Sequence, residues 1–217
     1  MTRLLCATGN RGKLREFRLA AGHAPVEIEL LPNYREIPPC VEDGATFEEN
    51  AILKARHYGR HASGLLFADD SGLEVDALNG APGVYSARFS GPQATDEANN
   101  RLLLEKLRGA GNRAARFVCL IALVEGEAVL GVYRGAVEGS ILDAPRGEAG
   151  FGYDPLFYYP PFGCTFGEAG DREKFSVSHR GQALLAMLGD LDRRALIGSA
   201  ICPPEGTPAP GSDPASP

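Results

Sequence analysis

A short apolar run, Leu65-Leu66-Phe67-Ala68, leads straight into Asp69-Asp70-Ser71-Gly72, and Leu73-Glu74-Val75 follows. The first and last pieces have the length and character of buried strands. A buried strand normally excludes Asp, because a carboxylate without a partner is costly to take out of water. The stretch therefore predicts strand, break, strand, with adjacent carboxylates, a hydroxyl and a glycine at the break. One account of the break is a tight turn, for which Asp-Asp-Ser-Gly is good chemistry. The other is a hard-metal site, where oxygen ligands hold Mg²⁺ and a carboxylate orients or deprotonates a water.

Upstream, Leu4 to Ala7 reads as a buried strand, Thr8-Gly9-Asn10-Arg11-Gly12-Lys13 as a turn, and the residues to about Ala21 as a helix. That order presents backbone N–H groups and a helix N-terminus to an anion, with Lys13 as an added charge. A plain strand-to-helix turn with a surface lysine fits the same residues. It is not a Walker A loop, since Leu14 stands where the metal-binding hydroxyl would be. Val26 to Leu31 predicts the next strand and Pro32 to Asp43 a loop. Thr46 and Glu49 form a capping box for a helix that buries Phe47, Ala51, Ala55 and Tyr58. Glu48, Asn50 and Lys54 read as its solvated face, and His57 and His61 as surface histidines.

Downstream, Gly80-Ala81-Pro82-Gly83 is a turn and Val84 to Gly91 shows no period. Thr95 caps a helix over about Asp96 to Arg108, with Leu102, Leu103, Leu104 and Leu107 as its core face. Arg116 to Glu125 and Ala128 to Glu138 read as an antiparallel pair around Gly126. Phe151-Gly152-Tyr153-Asp154-Pro155 suits a flat heterocycle, with stacking on a ring and a carboxylate at its edge; a turn with satisfied aromatics is the alternative. Leu156 to Tyr159 predicts a short strand. Ser178 caps a helix running to about Leu191, with His179 and Arg180 in its first turn. Cations are mildly unfavourable there, which points to an anionic or acceptor-rich ligand.

Composition narrows the class. The net charge is −6, from 22 basic and 28 acidic residues, and speaks against a broad nucleic-acid surface. The cysteines, Cys6, Cys40, Cys119, Cys164 and Cys202, are scattered and odd in number, as expected of free thiols in a reducing cytoplasm. The longest apolar run, Phe117 to Val124, is too short to span a membrane, and the N-terminal apolar run is too short for a signal peptide. The sequence divides into one domain, 1–202, and a Pro-rich tail, 203–217, expected to be disordered.

Taken in order, six motifs resemble the inosine triphosphate pyrophosphatase family, also called the dITP/XTP pyrophosphatases. They are Thr8-Gly9-Asn10-x-x-Lys13; Glu42-x-Gly44-x-x-Phe47-x-Glu49-Asn50-Ala51-x-x-Lys54-Ala55; Ala68-Asp69-Asp70-Ser71-Gly72-Leu73; Gly80-Ala81-Pro82-Gly83-x-Tyr85-Ser86-Ala87-Arg88; Phe151-Gly152-Tyr153-Asp154-Pro155; and Ser178-His179-Arg180-Gly181. The resemblance covers about residues 1–195. It implies an elongated α/β fold, with a mixed sheet, flanking helices and a central cleft between two lobes. It implies a Mg²⁺-dependent cytoplasmic homodimer that hydrolyses ITP, dITP and XTP to monophosphate and pyrophosphate. Such hydrolysis removes these nucleotides before they enter DNA or RNA. By position, Thr8, Gly9, Asn10, Arg11, Gly12, Lys13 and Ser71 would contact the triphosphate. Asp70 would be the acid-base residue and, with Glu42, a Mg²⁺ ligand. Phe151, Gly152, Tyr153, Asp154, Lys174, His179 and Arg180 would surround the base and sugar. Neither nucleic acid nor membrane is expected as a partner.

Overall fold

A computed structural model describes residues 1–197 of the 217-residue chain. The tail beyond residue 202, and Cys202, lie outside the described residues. The core is a seven-stranded sheet in the order β2-β1-β3-β4-β5-β6-β7. Strands β1 (Thr2–Cys6), β2 (Val26–Leu30) and β3 (Leu65–Val75) run parallel. Strands β4 (Ala114–Glu125), β5 (Ala128–Ile141), β6 (Phe157–Tyr159) and β7 (Cys164–Thr165) extend the sheet antiparallel from β3. The sheet is therefore mixed, with the hairpin β4–β5 where the sequence predicts it, extended at its outer ends.

The predicted break at Asp69 is absent. Leu65–Val75 is one continuous eleven-residue strand, paired with β4 along its whole length. Successive side chains of a strand point to opposite faces, and the three core clusters follow that alternation. On one face Phe67 packs with Phe17 of α1 (Arg11–Ala21) and with Leu184, Met187 and Leu188 of α5 (His179–Arg193). On the other, Leu66 and Ala68 pack with Phe47, Ala51, Ala55 and Tyr58 of α2 (Phe47–Gly59). The capping box of α2 forms as predicted: Thr46 Oγ1 accepts from Glu49 N–H at 3.1 Å and Glu49 Oε2 from Thr46 N–H at 3.2 Å.

Beyond Gly72 the same long strands enter a second core. Leu73, Val75, Phe117 and Val137 pack there with Leu103 and Leu107 around α3 (Asp96–Lys106), and with Tyr153, Phe157 and Phe166. The two lobes thus share β3, β4 and β5, and the cleft lies where one core gives way to the other. Among the elements not read from the sequence are the two-residue strand β7 and the seven-residue helix α4 (Asp171–Val177), which carries Lys174. No helix among the described residues is long and apolar enough to cross a membrane.

Candidate active site

The pleat of β3 separates the two adjacent aspartates. Asp69 shares its face with Phe67 and meets Lys13 of α1, whose Nζ donates to Oδ2 at 2.8 Å. Asp70 shares its face with Ala68 and meets Lys54 of α2, whose Nζ donates to Oδ1 at 2.9 Å. A strand tolerates buried carboxylates when each has its own cation, and this is why the chain does not turn here. Lys54 also donates to Glu42 Oε2 at 3.0 Å, so one buried ammonium holds two carboxylates at the cleft floor.

The two aspartates differ in acidity. Burial pushes both upward. At Asp69 the charges of Lys13, Arg180 and Lys54 outweigh burial and bring the pKa down to about 2. At Asp70 burial outweighs Lys54, and the pKa is raised above the ordinary carboxylate value. Asp70 Oδ2 is buried without a hydrogen-bond partner among the described residues.

The loop before α1 is ordered by its own side chains. Asn10 caps the helix by accepting from Lys13 N–H at 3.1 Å, and Thr8 Oγ1 accepts from Asn10 N–H at 3.2 Å. Asn10 and Lys13 line the cleft, which has a volume of about 320 Å³; Thr8, Gly9, Arg11 and Gly12 are not among its lining residues. Gly12 abuts the ring of Phe151.

A second charged group forms the opposite end. Glu16 of α1 is buried, and each of its oxygens takes one cation: Lys174 Nζ at 2.8 Å and Arg180 Nη1 at 2.7 Å. Lys174 also donates to Asp154 Oδ2 at 2.6 Å, and Asp154 Oδ2 accepts from Phe151 N–H at 2.8 Å. Arg180 Nη2 donates to Ser71 Oγ at 3.0 Å, and Ser71 Oγ donates to Asp69 Oδ2 at 3.0 Å. The hydrogen bonds therefore run unbroken from Lys13 through Asp69, Ser71, Arg180, Glu16 and Lys174 to Asp154. The Phe151 ring lies over Lys174 and Arg180, with its centroid 5.2 and 5.1 Å from the two cations. His179 stacks on Phe117 at 5.0 Å and 14°. Burial, with Arg180, Lys174 and Lys13 nearby, holds its pKa well below the usual value, so the imidazole is neutral.

Gly72 sets the join between the lobes. A Cβ there would stand 2.3 Å from Ser86 Oγ and 2.7 Å from Gly83 O, so only glycine lets that loop close on β3. The Ser86 hydroxyl accepts from Leu73 N–H at 2.8 Å across this contact.

A family model described as the Ham1 family matches residues 4–189. The chain belongs to the Ham1 family. A dITP/XTP pyrophosphatase of Syntrophobacter fumaroxidans is 52% identical over 190 residues, covering 88% of this chain and 82% of that protein. A dITP/XTP pyrophosphatase of Thermus thermophilus is 52% identical over 191 residues, 86% of this chain and 90% of that protein. Among solved structures, a HAM1 protein from Coxiella burnetii superposes with a TM-score of 0.79 at 41% identity, covering 89% of this chain and all of that one.

Within this Ham1-family site, sequence reasoning missed Glu16 and misplaced Lys54. Its charge predicts a solvated face, yet Lys54 is buried. Its spacing gives the signal: position 54 is three past Ala51 and four before Tyr58, on the apolar stripe of α2. Glu16 lies three residues past Lys13 and next to buried Phe17, with nothing in its local pattern to mark it. Asn50, also placed on the solvated face, is buried and accepts from Gly44 N–H at 2.9 Å, fixing the loop that carries Glu42. His61 is exposed, and His57 Nε2 lies 2.7 Å from Pro38 O, in keeping with surface histidines. Cys6, Cys40, Cys119 and Cys164 are free thiols.

Proposed function

We propose that this chain is a Mg²⁺-dependent nucleoside triphosphate pyrophosphatase. It cleaves deaminated purine triphosphates (ITP, dITP and XTP) to the monophosphate and pyrophosphate, and so keeps the altered bases out of DNA and RNA. The observation that carries this reading is Asp70. One of its oxygens is anchored by Lys54, the other has no partner among the described residues, and burial raises its affinity for a proton. Such a carboxylate suits the acceptance of a proton from a water attacking the phosphoryl group. The names of relatives sharing about half their residues with it, dITP/XTP pyrophosphatases, support the same reading.

Asp70 and Glu42 are the proposed Mg²⁺ ligands. They fit the ion, because Asp70 Oδ2 is a buried acceptor without a partner among the described residues and the Glu42 side chain keeps 34% of its surface exposed. Mg²⁺ takes few protein carboxylates and retains several waters. When bound, it neutralises charge on the phosphoryl oxygens. Lys54 holds both carboxylates at fixed places. The loop of Thr8, Gly9 and Asn10 and the first turn of α1, Arg11, Gly12 and Lys13, form with Ser71 the proposed triphosphate cradle.

The base is proposed to lie against Phe151, within the loop completed by Gly152, Tyr153 and Asp154. Lys174 acts through Asp154. His179 and Arg180 face the base: both ring nitrogens of His179 and Nε of Arg180 have no partner among the described residues. A 6-keto oxygen accepts from the guanidinium N–H and from the one N–H of the neutral imidazole, whereas the 6-amino group of adenine is itself a donor. Sites built this way reject the mismatched base strongly. The protein is proposed to be a cytoplasmic homodimer, with residues 1–202 as its catalytic domain.

A pyrophosphate-release assay over ITP, dITP, XTP, GTP and ATP tests the reading. It is expected to show turnover of ITP and XTP, far slower turnover of ATP, and loss of turnover when a chelator removes Mg²⁺. Orthophosphate as the product, or turnover indifferent to the chelator, would contradict it.

A further inference from the structure

Helix α3 grips both walls of the cleft from outside the reaction centre. Asp96 Oδ2 accepts from Gly152 N–H at 2.7 Å, and Asn100 Nδ2 donates to Gly152 O at 3.0 Å. Both ties fall on one residue, so the peptide planes before and after Gly152 are each fixed. That residue needs fixing. Gly152 has φ +63° and Gly150 φ +78°, conformations that only glycine adopts freely, and a glycine link is the easiest to rotate. Asn99, between the two, faces the other wall. Its Oδ1 accepts from Ser90 N–H at 2.8 Å, and its Nδ2 donates to Ala87 O at 3.3 Å. Tyr153 closes the circuit by donating its hydroxyl proton to Ser86 O at 2.8 Å.

Asn100 makes its bond at a cost. Its partner is a carbonyl, so the amide nitrogen must face it. Oδ1 is then left buried without a donor among the described residues. An unpaired buried acceptor is destabilising, and an apolar side chain would avoid it. The bond to Gly152 is what the asparagine adds.

We propose that Asp96 and Asn100 are specificity-positioning residues. They hold Gly152 so that the neighbouring Phe151 ring keeps its place over Arg180, beside His179, and presents a fixed surface to a flat base. The inference rests on the reading of the Phe151–Asp154 loop as base-binding. The reaction centre is built separately: Glu42 and Asp70 each accept from Lys54, and α3 takes no part in those bonds. The geometry therefore assigns substrate affinity and base choice to α3, and turnover to β3 and α2.

Steady-state kinetics on ITP and ATP, with melting temperatures alongside, test this in Asn100→Ala, Asn100→Asp, Asp96→Ala and Asp96→Asn. In the alanine variants, KM for ITP is expected to rise roughly 3- to 10-fold, the size of one lost hydrogen bond. The preference for ITP over ATP should fall by a similar factor, and kcat should move less than KM. Asn100→Asp sets a carboxylate against a carbonyl and should be no better than alanine. Asp96→Asn retains an acceptor oxygen and should recover most of the affinity lost in Asp96→Ala. If Asn100→Ala folds too poorly to assay, the isosteric Asn100→Asp carries the same test. A discriminating wild type whose variants keep both KM and base preference would overturn the proposal alone, as would variants in which only kcat falls. A wild type that treats ITP and ATP alike would overturn the base-binding reading, and this proposal with it.

Discussion

Asp69 and Asp70 are chemically identical, adjacent, and opposite in consequence. The folded-state pKa of Asp69 lies at about 2, below its unfolded value. Its ionised form therefore favours folding, by on the order of 2 kcal/mol above about pH 4, and that contribution is lost as pH falls toward 2. The folded-state pKa of Asp70 is raised, so its ionised form opposes folding at neutral pH, and the penalty fades as pH falls through that raised value. In urea denaturation at pH 7, Asp69→Asn is expected to lose stability on that scale, while Asp70→Asn keeps or gains it. The reverse order would mean that the two environments have been exchanged. The sequence displayed both carboxylates but set them together at a break in the strand, to be read as a tight turn or as a metal site. Only the pairing of β3 with β4 along all its residues gives each its own face and its own lysine.

At the scale of the element, much of the fold was legible. The capping box of α2, the Ser178 cap of α5 and the β4–β5 hairpin follow from local rules. What was not legible were charges satisfied at long range. Glu16 and Lys174 are 158 positions apart, and no local pattern marks a pair of that kind. Lys54 was recoverable, since its place on the apolar stripe of α2 argues burial more strongly than its charge argues exposure. Its role can be tested through acidity. Lys54 lowers the pKa of Asp70 against the effect of burial. In Lys54→Met that pull is gone, so the acid limb of the pH–rate profile should move to higher pH. The maximal rate should drop roughly 10²- to 10³-fold, as when one preorganised donor is removed. An unmoved acid limb would show that Asp70 is not the group titrating.

At the scale of the whole molecule, three long strands run through both lobes, and the site sits where their packing partners change. The proposed chemistry is therefore mounted on the most extensively paired part of the sheet. If residues 1–202 are the catalytic domain, a chain ending there should keep its melting temperature and activity, and light scattering should give about twice the mass of one chain. A monomer at micromolar concentration would reject the dimer. The central claim is that Asp70 directs water to the bond between the α- and β-phosphates. Phosphorus NMR of ITP turnover, in wild type and Asp70→Asn, tests it most directly. Equal amounts of IMP and pyrophosphate are expected from the wild type. In the variant the rate should be lowered roughly 10²- to 10⁴-fold, as for a lost general base, with nucleotide affinity nearly kept. IDP and orthophosphate as products, or a variant within a few-fold of the wild-type rate, would contradict it.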